Sequence, residues 1–241
     1  MKKYGLIGRT LDHSFSKVFF TSYFLENKVE ASYENLELDT ISFVEDLFQE
    51  NFSGFNVTIP YKEEIIPYID EVDWEARQIG AVNVVSIQNG KSFGYNTDAF
   101  GFHQSIKPFL TNQHERAIIF GTGGASKAIE YVLKNLGVNV IFISRTPTES
   151  NQFSYDEVNE NMLRACKLIV NCTPVGTSPN TEECIDMAYE QLTEHHLVID
   201  LIYNPAKTLF LKKAEENGAM ILNGESMLKH QALKSWEIWN H

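Results

Sequence analysis

The chain has 241 residues, 43% hydrophobic and 22% charged, a composition able to bury one large core or two modest ones. Its 20 Lys and Arg against 32 Asp and Glu give a net charge of −12, and with no basic block this argues against a nucleic-acid or membrane surface. No apolar run approaches membrane-spanning length, and three cysteines without Cys-x-x-Cys spacing suit buried reduced thiols in a cytoplasmic protein, not a metal site.

From the start, strand and helix patterns alternate. Residues 4–8 read as a first strand, in an apolar segment too short for a signal peptide. Residues 16–27 form an aromatic-rich helix, with Ser14 or Ser16 as a candidate cap. Residues 32–38 alternate as a strand, 41–49 are helical, and 54–57 make a short strand. Short helices are expected over 61–68 and 74–79. A hairpin follows, with strands 82–87 and 91–94 joined by the turn dipeptide Asn89-Gly90. Asp98 reads as the N-cap of a helix running to residue 110.

Residues 117–120 then bring an apolar β run to a glycine cluster, Gly121-Thr122-Gly123-Gly124-Ala125-Ser126. A helix with apolar positions Ala128, Ile129, Val132, Leu133 and Leu136 follows, stopped by Gly137, and residues 138–143 form another strand. Strand, glycine turn, helix, strand within about 30 residues is the context that makes such a cluster a dinucleotide fingerprint. Gly121 permits the tight turn, Gly123 allows close approach of phosphate oxygens, and the helix opening near Gly124 offers free N–H groups and its positive dipole end. Ser126 stands where Gly or Ala is usual. The alternative is a plain turn between strand and helix.

The next strand ends in Ile143-Ser144-Arg145-Thr146, with no carboxylate until Glu149. An NAD site usually carries an acid there for the ribose hydroxyls. A guanidinium flanked by hydroxyls suits the 2′-phosphate of NADP, unless Arg145 merely begins a solvated loop. Strands at 168–172, 197–201 and 219–222 and a final amphipathic helix at 225–239 complete two α/β domains. The crevice between such domains is the usual ligand position.

Polar clusters precede the fingerprint: His13-Ser14-Phe15-Ser16, Asn56-Val57-Thr58-Ile59-Pro60-Tyr61-Lys62, Gly80-Ala81-Val82-Asn83, and Gly94-Tyr95-Asn96-Thr97-Asp98-Ala99-Phe100-Gly101. Singly, each has a structural explanation as a cap or a solvated position. Together, and in this order, they resemble the substrate-side motifs of the shikimate dehydrogenase family. Asn171 to Thr177, Asp200 to Pro205 with Tyr203 at its centre, and Gly224 to Gln231 extend the resemblance over nearly the whole chain. Departures are Lys17 for the usual Pro, Val84 for Thr, and Ser144 for Asn.

The resemblance implies two α/β domains with the active-site cleft between them. One is a discontinuous substrate domain of residues 1–100 plus 225–241; the other is a doubly wound Rossmann-type NADP domain of residues 101–224. It makes Lys62 and Asp98 the catalytic pair. Ser14 and Ser16 would bind a substrate carboxylate, and Thr58, Asn83, Asp98, Tyr203 and Gln231 would surround a hydroxylated ring. Thr173, Ile202 and Gly224 join the fingerprint residues, Ser144, Arg145 and Thr146 on the cofactor side. The implied reaction is NADP-dependent interconversion of shikimate and 3-dehydroshikimate by a monomer or homodimer. A quinate/shikimate dehydrogenase with relaxed cofactor use, or a non-catalytic metabolite sensor, are the alternatives. His13 reads as structural or as an approach to the site, His195 and His196 as loop residues, Cys172 as a buried thiol, and Trp236 and Trp239 as packing residues.

Overall fold

The computed structural model describes residues 1–11 and 14–241, so His13 lies outside the described residues. The chain divides into two compact units, Met1–Gly101 with Leu228–His241, and Phe102–Met227.

The first unit holds a six-stranded mixed sheet. Its strands are β1 (Lys2–Gly8), β2 (Ala31–Glu37), β3 (Gly54–Val57), β4 (Glu71–Val72), β5 (Val84–Gln88) and β6 (Lys91–Tyr95), in the order β2-β1-β3-β5-β6-β4. β1 is parallel to β2 and β3, and β3, β5 and β6 are antiparallel in turn. Asn56 pairs with Val84, and Val84 with Tyr95, so the end of β3, the start of β5 and the end of β6 share one sheet edge. The end of β1 reaches the same edge through Ile7 and Val57.

Helices α1 (Phe15–Glu26), α2 (Val44–Gln49) and α3 (Trp74–Ile79) belong to this unit, and α4 (Asp98–Ile106) and α8 (Glu225–Trp239) run across its boundary. One core, around Phe55, Tyr61 and Ile65, packs on the sheet with α2 and α3 residues. The other joins Tyr4, Phe20, Phe24 and Tyr33 to Ala232 and Trp239 of the last helix. Trp239 stacks on Tyr4 at 4.5 Å between centroids and donates its indole N–H to Val85 O at 2.9 Å. A side chain at position 54 would collide with that indole, which is why Gly54 opens β3.

Two helix expectations change. Over 61–68 the chain forms turns and only a 3₁₀ turn at Ile66–Tyr68. Pro67 has no N–H, and Lys62 O, which an α-helix would offer to Ile66, instead accepts from Val82 N at 2.7 Å. Asp98 is the first residue of α4 and not its cap; Asn96 Oδ1 accepts from Ala99 N at 3.2 Å in that role. The helix ends at Ile106 because Pro108 follows.

The second unit is a parallel sheet in the order β12-β11-β10-β7-β8-β9. Its strands are β7 (Arg116–Phe120), β8 (Asn139–Ile143), β9 (Gln152–Phe153), β10 (Leu168–Asn171), β11 (Leu197–Asp200) and β12 (Met220–Leu222). The helices are α5 (Gly124–Asn135), α6 (Glu160–Ala165) and α7 (Leu209–Glu216); α6, α7 and the two-residue strands escape the sequence patterns. Chain order runs outward both ways from β7, so the sheet is doubly wound with its switch point between β7 and β10. The central strands β7, β10 and β11 are almost wholly buried, as a sheet covered on both faces requires.

Among the described residues, no helix is long and apolar enough to cross a membrane, and no cluster of His, Cys, Asp and Glu could hold a metal ion. Cys166 is buried, whereas Cys172 and Cys184 are half-buried and not fully enclosed as expected. His195 and His196 lie in the loop before β11 as expected; His196 is nonetheless 1% exposed, accepting from Thr193 N through Nδ1 and donating to Leu163 O through Nε2.

Candidate active site

In the first unit, the shared sheet edge gathers residues far apart in sequence. Lys62 Nζ donates to Asp98 Oδ2 at 2.6 Å, and the other carboxylate oxygen, Oδ1, accepts from Asn83 Nδ2 at 2.9 Å. Asn83 is oriented in turn by Thr97, whose N–H donates to Asn83 Oδ1 at 2.7 Å. The Asp98 side chain is 2% exposed and that of Lys62 14%, so the pair is largely desolvated while the ammonium remains reachable. Asp98 is thereby fixed from both oxygens, and an ammonium has three donors, of which one is on Asp98.

Ser14 caps α1, its Oγ accepting from Lys17 N at 3.1 Å, a bond that leaves the hydroxyl proton uncommitted to it. Ser16 lies in the first turn of that helix, close enough to the Tyr33 hydroxyl to act on it. Thr58 follows β3 directly, its N–H on Ile7 O and its carbonyl accepting from Tyr61 N. Gln231 sits on the last helix, its backbone carbonyl accepting from Ser235 Oγ at 2.9 Å. Asn56, Thr97, Tyr33 and Ser235 were not singled out by sequence reasoning; Asn56 and Thr97 lie inside the quoted motifs, while Tyr33 and Ser235 carry no local signal.

In the second unit, every expected cofactor residue lies at the carboxyl end of a parallel strand. Gly121 has φ of +98°, a conformation that favours glycine, and a side chain there would press on Thr173. The loops after β7 and β10 thus touch at the switch point. A Cβ at Gly123, the residue before α5, would meet nothing within 4 Å, and no side chain caps the helix, so its first N–H groups face an open approach. Ser126 is buried, its hydroxyl donating to Gly123 O at 2.6 Å, so it braces the turn and can offer a ligand only backbone. This is how the departure at the third fingerprint position is accommodated.

Thr122 is exposed, and Ala125 lies in the first turn of α5. Ser144 Oγ accepts from Thr146 N at 3.2 Å after β8, and Arg145 between them is exposed and close enough to Tyr155 to act on it electrostatically. Thr173 is locked by its N–H and hydroxyl, both donated to Asn171 Oδ1. Gly224 N donates to Ile202 O at 3.0 Å, joining the ends of β11 and β12. Tyr203 is half-buried beside Ile202, with burial raising its pKa.

Asp200 anchors this end of the sheet. Burial pushes its pKa up to about 6, although it accepts from Thr208 Oγ1, Ile202 N and Asn171 Nδ2. An exposed guanidinium, open helix N–H groups and a glycine turn form a donor set that fits a phosphorylated dinucleotide.

The family model described as "Shikimate dehydrogenase substrate binding domain" matches residues 6–85. A shikimate dehydrogenase (NADP(+)) of Clostridium botulinum is 38% identical, over 98% of this chain and 95% of the relative. The crystal structure of shikimate dehydrogenase from Aquifex aeolicus superposes with a TM-score of 0.89 at 34% identity, covering 100% of this chain and 92% of the other. Shikimate 5-dehydrogenase from Thermus thermophilus, solved in complex with NADP(H) and shikimate, gives 0.86 at 28% identity, covering 99% and 93%.

Proposed function

The chain belongs to the shikimate dehydrogenase family, and from this premise we propose that it reversibly reduces 3-dehydroshikimate to shikimate with NADPH, in the pathway to aromatic amino acids. The observation that carries the reading is the Lys62–Asp98 pair, joined at 2.6 Å and steadied by Asn83. When bound, NADPH supplies the hydride that converts the ketone carbon to a carbinol. Lys62 faces the accompanying charge: its ammonium stabilises the developing alkoxide and delivers the proton to that oxygen. In the reverse direction the neutral amine takes the proton back. Asp98 holds the amine in place and accepts from a ring hydroxyl.

In this reading Met1–Gly101 with Leu228–His241 is the substrate domain and Phe102–Met227 the NADP domain. Ser14 and Ser16 bind the carboxylate, and Thr58, Asn83, Tyr203 and Gln231 bind ring oxygens. Short polar side chains suit a polyol, each fixing one oxygen directly. Gly121 to Ser126, Thr173, Ile202 and Gly224 shape the dinucleotide site, and Ser144, Arg145 and Thr146 hold the 2′-phosphate. A soluble cytoplasmic enzyme, monomeric or homodimeric, completes the proposal.

The deciding assay follows absorbance of the reduced nicotinamide with shikimate and either NADP or NAD. Strong reduction of NADP and much weaker reduction of NAD is expected. Turnover of quinate with NAD in its place would move the assignment to the relaxed dehydrogenase, and shikimate binding without turnover to a sensor.

A further inference from the structure

Asn56 belongs to the same segment as Thr58 and Lys62, yet its side chain serves a buried polar line. Tyr33, on β2 and 5% exposed, donates its hydroxyl proton to Asn56 Oδ1 at 2.7 Å. Burial raises the Tyr33 pKa far above the ordinary range, which keeps the phenol protonated and donating. Asn56 Nδ2 then donates to Ser235 Oγ at 2.9 Å, and Ser235, fully buried on α8, donates to Gln231 O at 2.9 Å. A hydroxyl has one proton, so the direction is set: Tyr33 to Asn56 to Ser235 to the Gln231 carbonyl.

Both ends of this line meet residues assigned to the substrate. Ser16 lies close enough to the Tyr33 hydroxyl to act on it, while that hydroxyl's proton is on Asn56. Ser235 Oγ lies 3.5 Å from Thr97 Oγ1, and Thr97 brackets Asn83 through its N–H and hydroxyl. We infer that Tyr33 is a positioning residue for shikimate, its buried hydroxyl setting the orientation of Asn56 and, through Ser235 and Thr97, tying the last helix to Asn83.

The inference rests on the proposed function, which assigns Ser16, Asn83 and Gln231 to the substrate. Tyr33 touches neither Lys62 nor Asp98 in any bond described above. Pre-ordering groups that hold substrate and transition state alike changes KM and leaves kcat nearly unaltered.

Tyr33→Phe removes only the hydroxyl, keeping the ring that stacks on Phe20 at 4.8 Å. Its KM for shikimate should rise roughly tenfold, with kcat and the KM for NADP within about twofold of the parent, since a buried amide oxygen loses its donor. Calorimetric titration of shikimate into the protein without nucleotide should show the same loss of affinity. Ser235→Ala, which removes the acceptor for Asn56, should reproduce the split and serves if Tyr33→Phe fails to fold. Lowered stability with an unchanged shikimate KM, in whichever variant folds, overturns the inference while leaving the function intact. An unaltered protein that neither turns over nor binds shikimate overturns the function, and the inference with it.

Discussion

Lys62 and Asp98 are 36 positions apart and each is ordinary alone; their chemistry comes from being paired where water is scarce. Removing the lysine takes away the proposed proton donor and leaves a 2%-exposed carboxylate with Asn83 as its remaining described partner. Lys62→Ala should therefore lose about 10²- to 10⁴-fold in kcat, as removal of a positioned acid–base group does. Near-normal turnover in that variant would show that another group carries the proton. The pair was legible because the motifs that carry it resemble a known family, and a ketone reduction needs a cation that can also donate. That Asn83 holds the second carboxylate oxygen was not, because it depends on side chains the fold brings together, with Thr97 N holding Asn83 Oδ1 and Asn83 Nδ2 on Asp98.

At the scale of elements, the proposed cofactor choice turns on the end of β8. Arg145 is exposed there, between Ser144 and Thr146, where an NAD site usually offers an acid. Arg145→Ala should weaken NADP binding by roughly 1.5–3 kcal/mol, the value of hydrogen bonds to a charged group, and leave NAD binding nearly unchanged. Titrating both dinucleotides into the variant measures the preference directly; an unchanged ratio would remove Arg145 from the 2′-phosphate site. Strand–turn–helix periodicity made β7, α5 and β8 readable. The helix expected over 61–68 was not realised because tertiary bonding overrode pattern: Lys62 O is held by Val82 N, which also fixes the backbone carrying the proposed catalytic side chain.

At the scale of the whole molecule, two buried histidines link stability to acidity. His114 and His196 precede β7 and β11, and each accepts a backbone N–H through Nδ1, from Thr111 at 3.0 Å and Thr193 at 2.9 Å. Burial lowers both pKa values, so each favours the neutral form when folded. Their contribution is complete above the unfolded value of about 6.5 and is lost as pH falls through the folded values. Asp200 acts in the opposite sense, its raised pKa lowering stability as pH rises toward about 6. Urea midpoints should drop between about pH 7.5 and 5.5, and His196→Asn, whose amide oxygen can still accept from Thr193 N, should flatten that slope. An equal slope in the variant would exclude His196 as the source. The sequence by itself determined the αβ alternation and the strand–glycine turn–helix–strand unit, because periodicity is local, and its resemblance to a family implied the doubly wound domain and the acid–base pair. Only the tertiary structure decided that Ser235 comes within 3.5 Å of Thr97, 138 positions away, that Tyr33 bonds Asn56, and that Asp98 pairs with Lys62 and is not a cap. Those depend on which groups are buried together, and a buried polar group takes whatever partner the fold brings within reach.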